Sequence, residues 1–170
     1  EWNGYWKYDR SEKETGLNNI FKGMMLNDLH SSVYISNQGD ITQTVKGNEN
    51  IEIPIYLSSM TDKDYGDELY LHYQIFHLDY VGIEKEINKG VVKIDYFPWM
   101  NQPVSPLKIK TSKYSGLSKI NFTLKDKEGK IIHRNFMHLV VKSQFKIPMT
   151  SVFSISANEY SSSKWSKRNW

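Results

Sequence analysis

The densest run of side chains able to do acid–base or metal chemistry is "TDKDYGDEL", which carries Asp62, Asp64, Asp67 and Glu68. Hydrolysis of a glycosidic bond needs two carboxyl groups held about 5–9.5 Å apart on a rigid cleft. The Tyr-Gly centre of this run reads instead as a loop between strands, and its spacing does not match the ligand positions of a calcium loop. A solvated acidic loop is the better reading. Five histidines offer a second possibility. His72 and His77, like His133 and His138, stand five apart on predicted strands, so the members of each pair point to opposite faces and cannot share one metal. No serine lies in a Gly-x-Ser-x-Gly elbow, and neither a phosphate-binding loop nor a dinucleotide turn is present. The expectation is therefore no catalytic residue, no metal and no cofactor.

What stands out is aromatic. The chain opens "EWNGYWKY", placing Trp2, Tyr5, Trp6 and Tyr8 in its first residues, and it ends "SSSKWSKRNW", with Trp165 near the close. A third group, Tyr96 and Trp99 in "DYFPWMNQP", surrounds Pro98. Such rings can stack on sugars, because indole and phenol present a flat apolar face with a polar edge. They can equally seal the seam to a neighbouring domain. An ordered terminus must gain contacts to offset its lost conformational entropy, so the packing reading is preferred and sugar contact is its rival.

Composition narrows the setting. The chain has 170 residues, 24% charged and 14% aromatic, with a net charge of +3 from 22 basic and 19 acidic residues. That is enough mass for one ordinary domain and some extra chain. The two signs are interspersed, which gives no strong field for a polyanion, and no nucleic-acid partner is expected. The absence of cysteine removes disulfides and thiolate metal sites. No apolar run approaches the roughly 20 residues that span a bilayer, so no membrane partner is expected. A chain starting at Glu1 without Met reads as a piece of a longer polypeptide.

The elements that must hold these groups change in period along the chain. "SEKETGLNNIFKGMM" offers Ser11 as an N-cap with Glu14 three residues on, then Leu17, Ile20, Phe21 and Met24 at helical spacing, closed near Gly23. From about Ser31 the period becomes two. In "IEIPIYLSS" the residues Ile51, Ile53, Ile55 and Leu57 share one face, and Pro54 puts that strand at an edge or a bulge. "SSVYIS", "ELYLHYQIFHL", "GVVKIDY", "PLKIKT", "SKINFTL" and "IIHRNFMHLVV" read the same way. The total is about seven strands, which predicts an all-β, immunoglobulin-like antiparallel sandwich preceded by a short helix and linker. "LKDKEGKII" is the clearest hairpin, with Gly129 supplying a positive φ. The expected core is Val33, Ile35, Ile53, Ile55, Leu69, Leu71, Tyr73, Ile75, Leu107, Ile109, Ile120, Phe122, Leu124, Leu139 and Val141.

In order, "WNGYWKYDR", "FKGMMLNDLHSSVYI", "IEIPIYLSSMTDKDYGDELYLHYQIF", "FPWM", "HRNFMHLVV" and "ISANEYSSSKWSKRNW" resemble a stretch of bacterial family 2 glycoside hydrolases, the β-galactosidase-like enzymes. The resemblance is one of pattern over nearly the whole chain, without a short diagnostic signature. "DRSEKETG" keeps Asp9, Arg10 and Lys13 but lacks the proline that family members often have near the barrel exit.

That resemblance implies that residues 1–29 are the exit from a catalytic (β/α)-barrel, 30–143 the sandwich after it, and 144–170 a connector and the start of a jelly roll. The family's catalytic glutamates lie in barrel strands outside this stretch, so it implies a non-catalytic accessory domain of a glycan-degrading enzyme. Its partners would be the barrel and other sandwiches of the same chain, with carbohydrate as the alternative, in a periplasmic or extracellular setting.

Overall fold

A computed structural model describes residues 21–79 and 82–143. Eight strands and one short helix occur among them: α1 (Leu26–Leu29), β1 (Val33–Asn37), β2 (Thr42–Lys46), β3 (Asn50–Ser59), β4 (Glu68–Asp79), β5 (Glu84–Asp95), β6 (Asn101–Lys110), β7 (Gly116–Lys125) and β8 (Ile131–Lys142). The strands form two sheets, ordered β1-β3-β6 and β2-β8-β7-β4-β5. The fold is an all-β sandwich, as the period-two pattern predicts.

The period of two leads directly to the core. Alternate residues of each strand turn inward, and Val33, Ile35, Leu57, Leu69, Leu71, Ile120, Phe122, Leu124 and Met137 are sealed between the sheets. Burying each such side chain stabilises the fold by roughly 1.5–3 kcal/mol before ordering costs. Fourteen of the fifteen expected core residues are buried, and Tyr73 packs against them half-exposed. Its ring lies over Gly90, its partner on β5, so closely that a Cβ there would meet the ring at 2.7 Å.

Two features depart from the expectation. The eighth strand, β2, was missed because only Val45 of "TQTVK" packs toward the core, leaving no apolar alternation to read. It also pairs parallel to β8, so the five-stranded sheet is mixed rather than purely antiparallel. The chain enters β2 through a kink after β1, where Gly39 has φ +93 and Gln43 Nε2 donates to the carbonyls of Gln38 and Asp40. One length of chain thereby serves both sheets.

Pro54 lies at a register shift between Ile53 and Ile55, the bulge half of its reading. The edge half does not hold, because β3 is central in its sheet. The bulge accommodates a residue with no N–H to donate. The β7–β8 hairpin forms as expected: Gly129 has φ +85, and Asp126 Oδ1 accepts from the amides of Glu128 and Lys130. Most of the expected N-terminal helix lies outside the described residues. Phe21 to Met24 form a turn, Met24 N–H donating to Phe21 O at 2.9 Å.

Candidate functional site

Two places gather polar and aromatic groups. The first is the end of the sandwich where residues 60–67 join β3 to β4 and residues 96–100 join β5 to β6. Both joins have non-repeating backbone, because neither carries an alternating pattern. In the first, Asp64 Oδ1 accepts from Gly66 N–H at 2.7 Å, a local bond that lets a short polar side chain close a turn. Asp62, Asp64, Asp67, Glu68 and Asp95 rim an open cavity of about 460 Å³. Among the described residues no three His, Cys, Asp or Glu side chains are placed to hold a metal.

At this end the sequence-predicted aromatics part company. Tyr96 turns inward with 5% exposure. Its hydroxyl lies 3.0 Å from Ser59 Oγ and donates to Lys63 O at 3.2 Å, while Tyr65 meets its ring edge-on at 5.6 Å. Those bonds satisfy the one polar atom of a core residue. Tyr96 therefore fastens the acidic loop to the sandwich and does not belong to an exposed platform. Trp99 is 64% exposed, beside exposed Phe97 and Met100. Its φ of +54 is unusual for a bulky residue, and its indole N–H donates to Asp62 Oδ1. Trp2, Tyr5, Trp6, Tyr8 and Trp165 lie outside the described residues.

The second place was missed by sequence reasoning. Asp28 is 7% exposed and sits in α1, just before the sandwich begins. Its Oδ2 accepts from Met25 N–H at 2.8 Å and its Oδ1 from Arg134 N–H at 2.9 Å. The Arg134 guanidinium stands 3.6 Å away. Two backbone donors and one cation compensate the burial of a carboxylate that would otherwise be costly.

The backbone of Asp28 is used as well. Its carbonyl accepts from His133 Nε2 at 2.7 Å, while His133 Nδ1 accepts from Ile35 N–H at 3.1 Å. An imidazole that donates at Nε2 and accepts at Nδ1 is the neutral Nε2–H tautomer. Burial pushes His133 down to about 4, partly opposed by its bond to the Asp28 carbonyl and by the Asp28 charge. Asn135, two residues on, donates to Ile35 O at 2.7 Å and accepts from Phe136 N–H at 2.8 Å. Both free backbone groups of Ile35 are thus met by β8 side chains.

The other histidines divide as their spacing requires. His77 and His133 are buried on inward faces, whereas His72 and His138 lie half-buried on the outer one. His77 Nδ1 bonds Ser118 Oγ at 2.9 Å. The signal for the Asp28 junction was present but weak: an acidic residue in an apolar run, and a histidine at an inward position of "IIHRNFMHLVV". Nothing in the sequence pairs the two, since they are 105 residues apart.

No protein-family model matches the sequence, and no curated protein matches it. Several solved structures are similar. The sporulation control protein Spo0M of Bacillus subtilis aligns over 66% of this chain and 49% of its own, with 10% identity and a TM-score of 0.46. A calcium-binding mutant of β-glucuronidase 2 from Bacteroides uniformis aligns over 64% of this chain and 13% of its own, with 11% identity and a TM-score of 0.41. A chain described as a β-galactosidase from Bacteroides fragilis aligns over 65% of this chain and 16% of its own, with 19% identity and a TM-score of 0.38. This chain thus spans about half the length of Spo0M and less than a fifth of either glycosidase. At such identities and TM-scores none of the three bears on function.

Proposed function

We propose that the chain is a non-catalytic accessory β-sandwich of a family 2, β-galactosidase-like glycoside hydrolase, bracing the catalytic barrel and orienting neighbouring domains. The observation that carries this reading is the Asp28 junction. The segment that would leave the barrel is joined to the sandwich at Asp28 by bonds to His133 and Arg134. A linker held by buried, charge-assisted bonds transmits orientation, whereas a polar flexible one would not. The sequence resemblance supports the same assignment.

The test has two parts. Immediately upstream in the coding sequence, a (β/α)-barrel with paired glutamates is expected. The chain itself, given aryl β-galactosides and β-glucuronides, is expected to leave them intact. Turnover above the enzyme-free rate, or an upstream region without a barrel, overturns the reading.

One observation favours a second reading, a carbohydrate-binding module. Trp99 is exposed, and its ring orientation is set by the bond to Asp62. On that reading the chain binds a neutral glycan, and Trp99→Ala abolishes the binding.

A further inference from the structure

The outer face of the five-stranded sheet carries a cavity of about 430 Å³ whose charge is one-sided. Two cross-strand rungs make its floor. Lys89, Gln74 and Asn121 stand side by side across β5, β4 and β7; Val91, His72, Thr123 and Arg134 form the next rung and reach β8. Lys22 and Lys125 complete the charged lining, and among the described residues no carboxylate lines it.

The cations are not equally free. Lys89 pairs with Glu86 at 3.0 Å and Arg134 with Asp28 at 3.6 Å. Lys22 and Lys125 have no ion pair among the described residues, so the surplus positive charge rests on them. Burial, and after it the neighbouring Lys125, push the His72 imidazole below its ordinary value.

At the floor lies an unmet polar group. Asn121 is 7% exposed, and its Oδ1 has no hydrogen-bond partner among the described residues. Buried acceptors are nearly always satisfied, and an exception calls for a cause. Whichever way the amide is turned, it presents a donor on one side and an acceptor on the other. A ligand that fits needs negative charge for the lysines and a hydroxyl donor for the amide. The dianionic phosphate group of a monoester, which has no proton left to donate, supplies only the first, and a neutral sugar only the second. The cavity volume is in the range of small-ligand sites, about 300–1,000 Å³.

We propose that this groove binds an acidic sugar residue, its carboxylate held by Lys22 and Lys125 and a ring hydroxyl donating to Asn121. The inference stands on the groove alone and does not depend on the parent enzyme proposed above.

Calorimetric titration of the 170-residue chain with trigalacturonate at low ionic strength tests it. Saturable binding is expected, weakened about tenfold or more by Lys125→Glu and by Lys22→Glu, the loss expected when a charge-assisted contact turns repulsive. Unchanged melting curves show that both variants are folded. Asn121→Leu, which keeps the branched shape of the side chain and removes its polar atoms, is expected to weaken binding without lowering the melting temperature. Absence of binding overturns the proposal. So does equal affinity for a neutral galactose trimer, for inorganic phosphate or for a triglutamate peptide, and so does affinity unmoved by either lysine variant.

Discussion

Ile35 on β1 gives its N–H to His133 Nδ1 on β8, although the two strands belong to different sheets and share no ladder. Ile35 pairs with Leu57 on β3, and β1 is the edge of its sheet, so its other side would present unpaired backbone. His133 takes the N–H and Asn135 supplies a donor for the carbonyl. Two side chains thus do the work of a neighbouring strand, closing an edge that would otherwise invite aggregation.

A pH dependence follows. His133 titrates near 4 in the folded chain against an ordinary 6.5, so the fold favours its neutral form. The contribution is complete above about pH 6.5 and drains away as pH falls from there toward 4. A depression of this size corresponds to about 3 kcal/mol. Burial lowers His72, His77 and His138 too, with the same sign. Urea unfolding at pH 7 and pH 4 should show the loss, and it should shrink in His133→Gln.

Asp28→Ala removes the acceptor of two backbone N–H groups and leaves the half-buried Arg134 without its carboxylate. A cost of about 3 kcal/mol is expected. Chemical denaturation of the chain measures it. A change within about 0.5 kcal/mol, as for ordinary surface sites, would mean that the junction holds nothing.

Two glycines separate strain from collision. Gly129 has φ +85 with open space around it, so Gly129→Ala meets only backbone strain, about 1 kcal/mol. At Gly116 a Cβ would lie 2.2 Å from Leu78 O, a backbone atom that cannot swing aside. Gly116→Ala is expected to cost about 3 kcal/mol or more. Thermal melts of the pair rank them, and equal costs would contradict the geometry.

At the aromatic end, Tyr96→Phe loses the hydroxyl that joins Ser59 and Lys63, and about 1 kcal/mol of stability with it. Trp99→Ala removes an exposed ring and should leave stability within about 0.5 kcal/mol. Differential scanning fluorimetry of both variants checks the division of roles. A large loss at Trp99 would place that residue in the core.

Much of this molecule was legible without coordinates. Alternation in "IEIPIYLSS", "SKINFTL" and "IIHRNFMHLVV" predicts half-buried strands, because a pleated strand shows successive side chains to opposite faces. The same alternation sorted the histidines between faces, and the Gly129 turn joined two of the strands. Other features left no local trace. β2 carries too few apolar residues to register, and its place beside β8 depends on where the kink after β1 sends the chain. Tyr96 and Trp99 stand three apart in one aromatic run, yet one is buried and the other exposed. That choice rests on whether Ser59 and Lys63 are in reach of the hydroxyl.

The sequence by itself determined seven of the eight strands, their inward faces and the β7–β8 turn, since these depend on periodicity and on the conformational preferences of neighbouring residues. Only the tertiary structure decided that Asp28 meets Arg134, that His133 completes the edge at Ile35, and that Lys22 and Lys125 line one groove. Such contacts join residues far apart in the chain, and sheet order, which no local pattern encodes, is what brings them within hydrogen-bonding distance or onto one face.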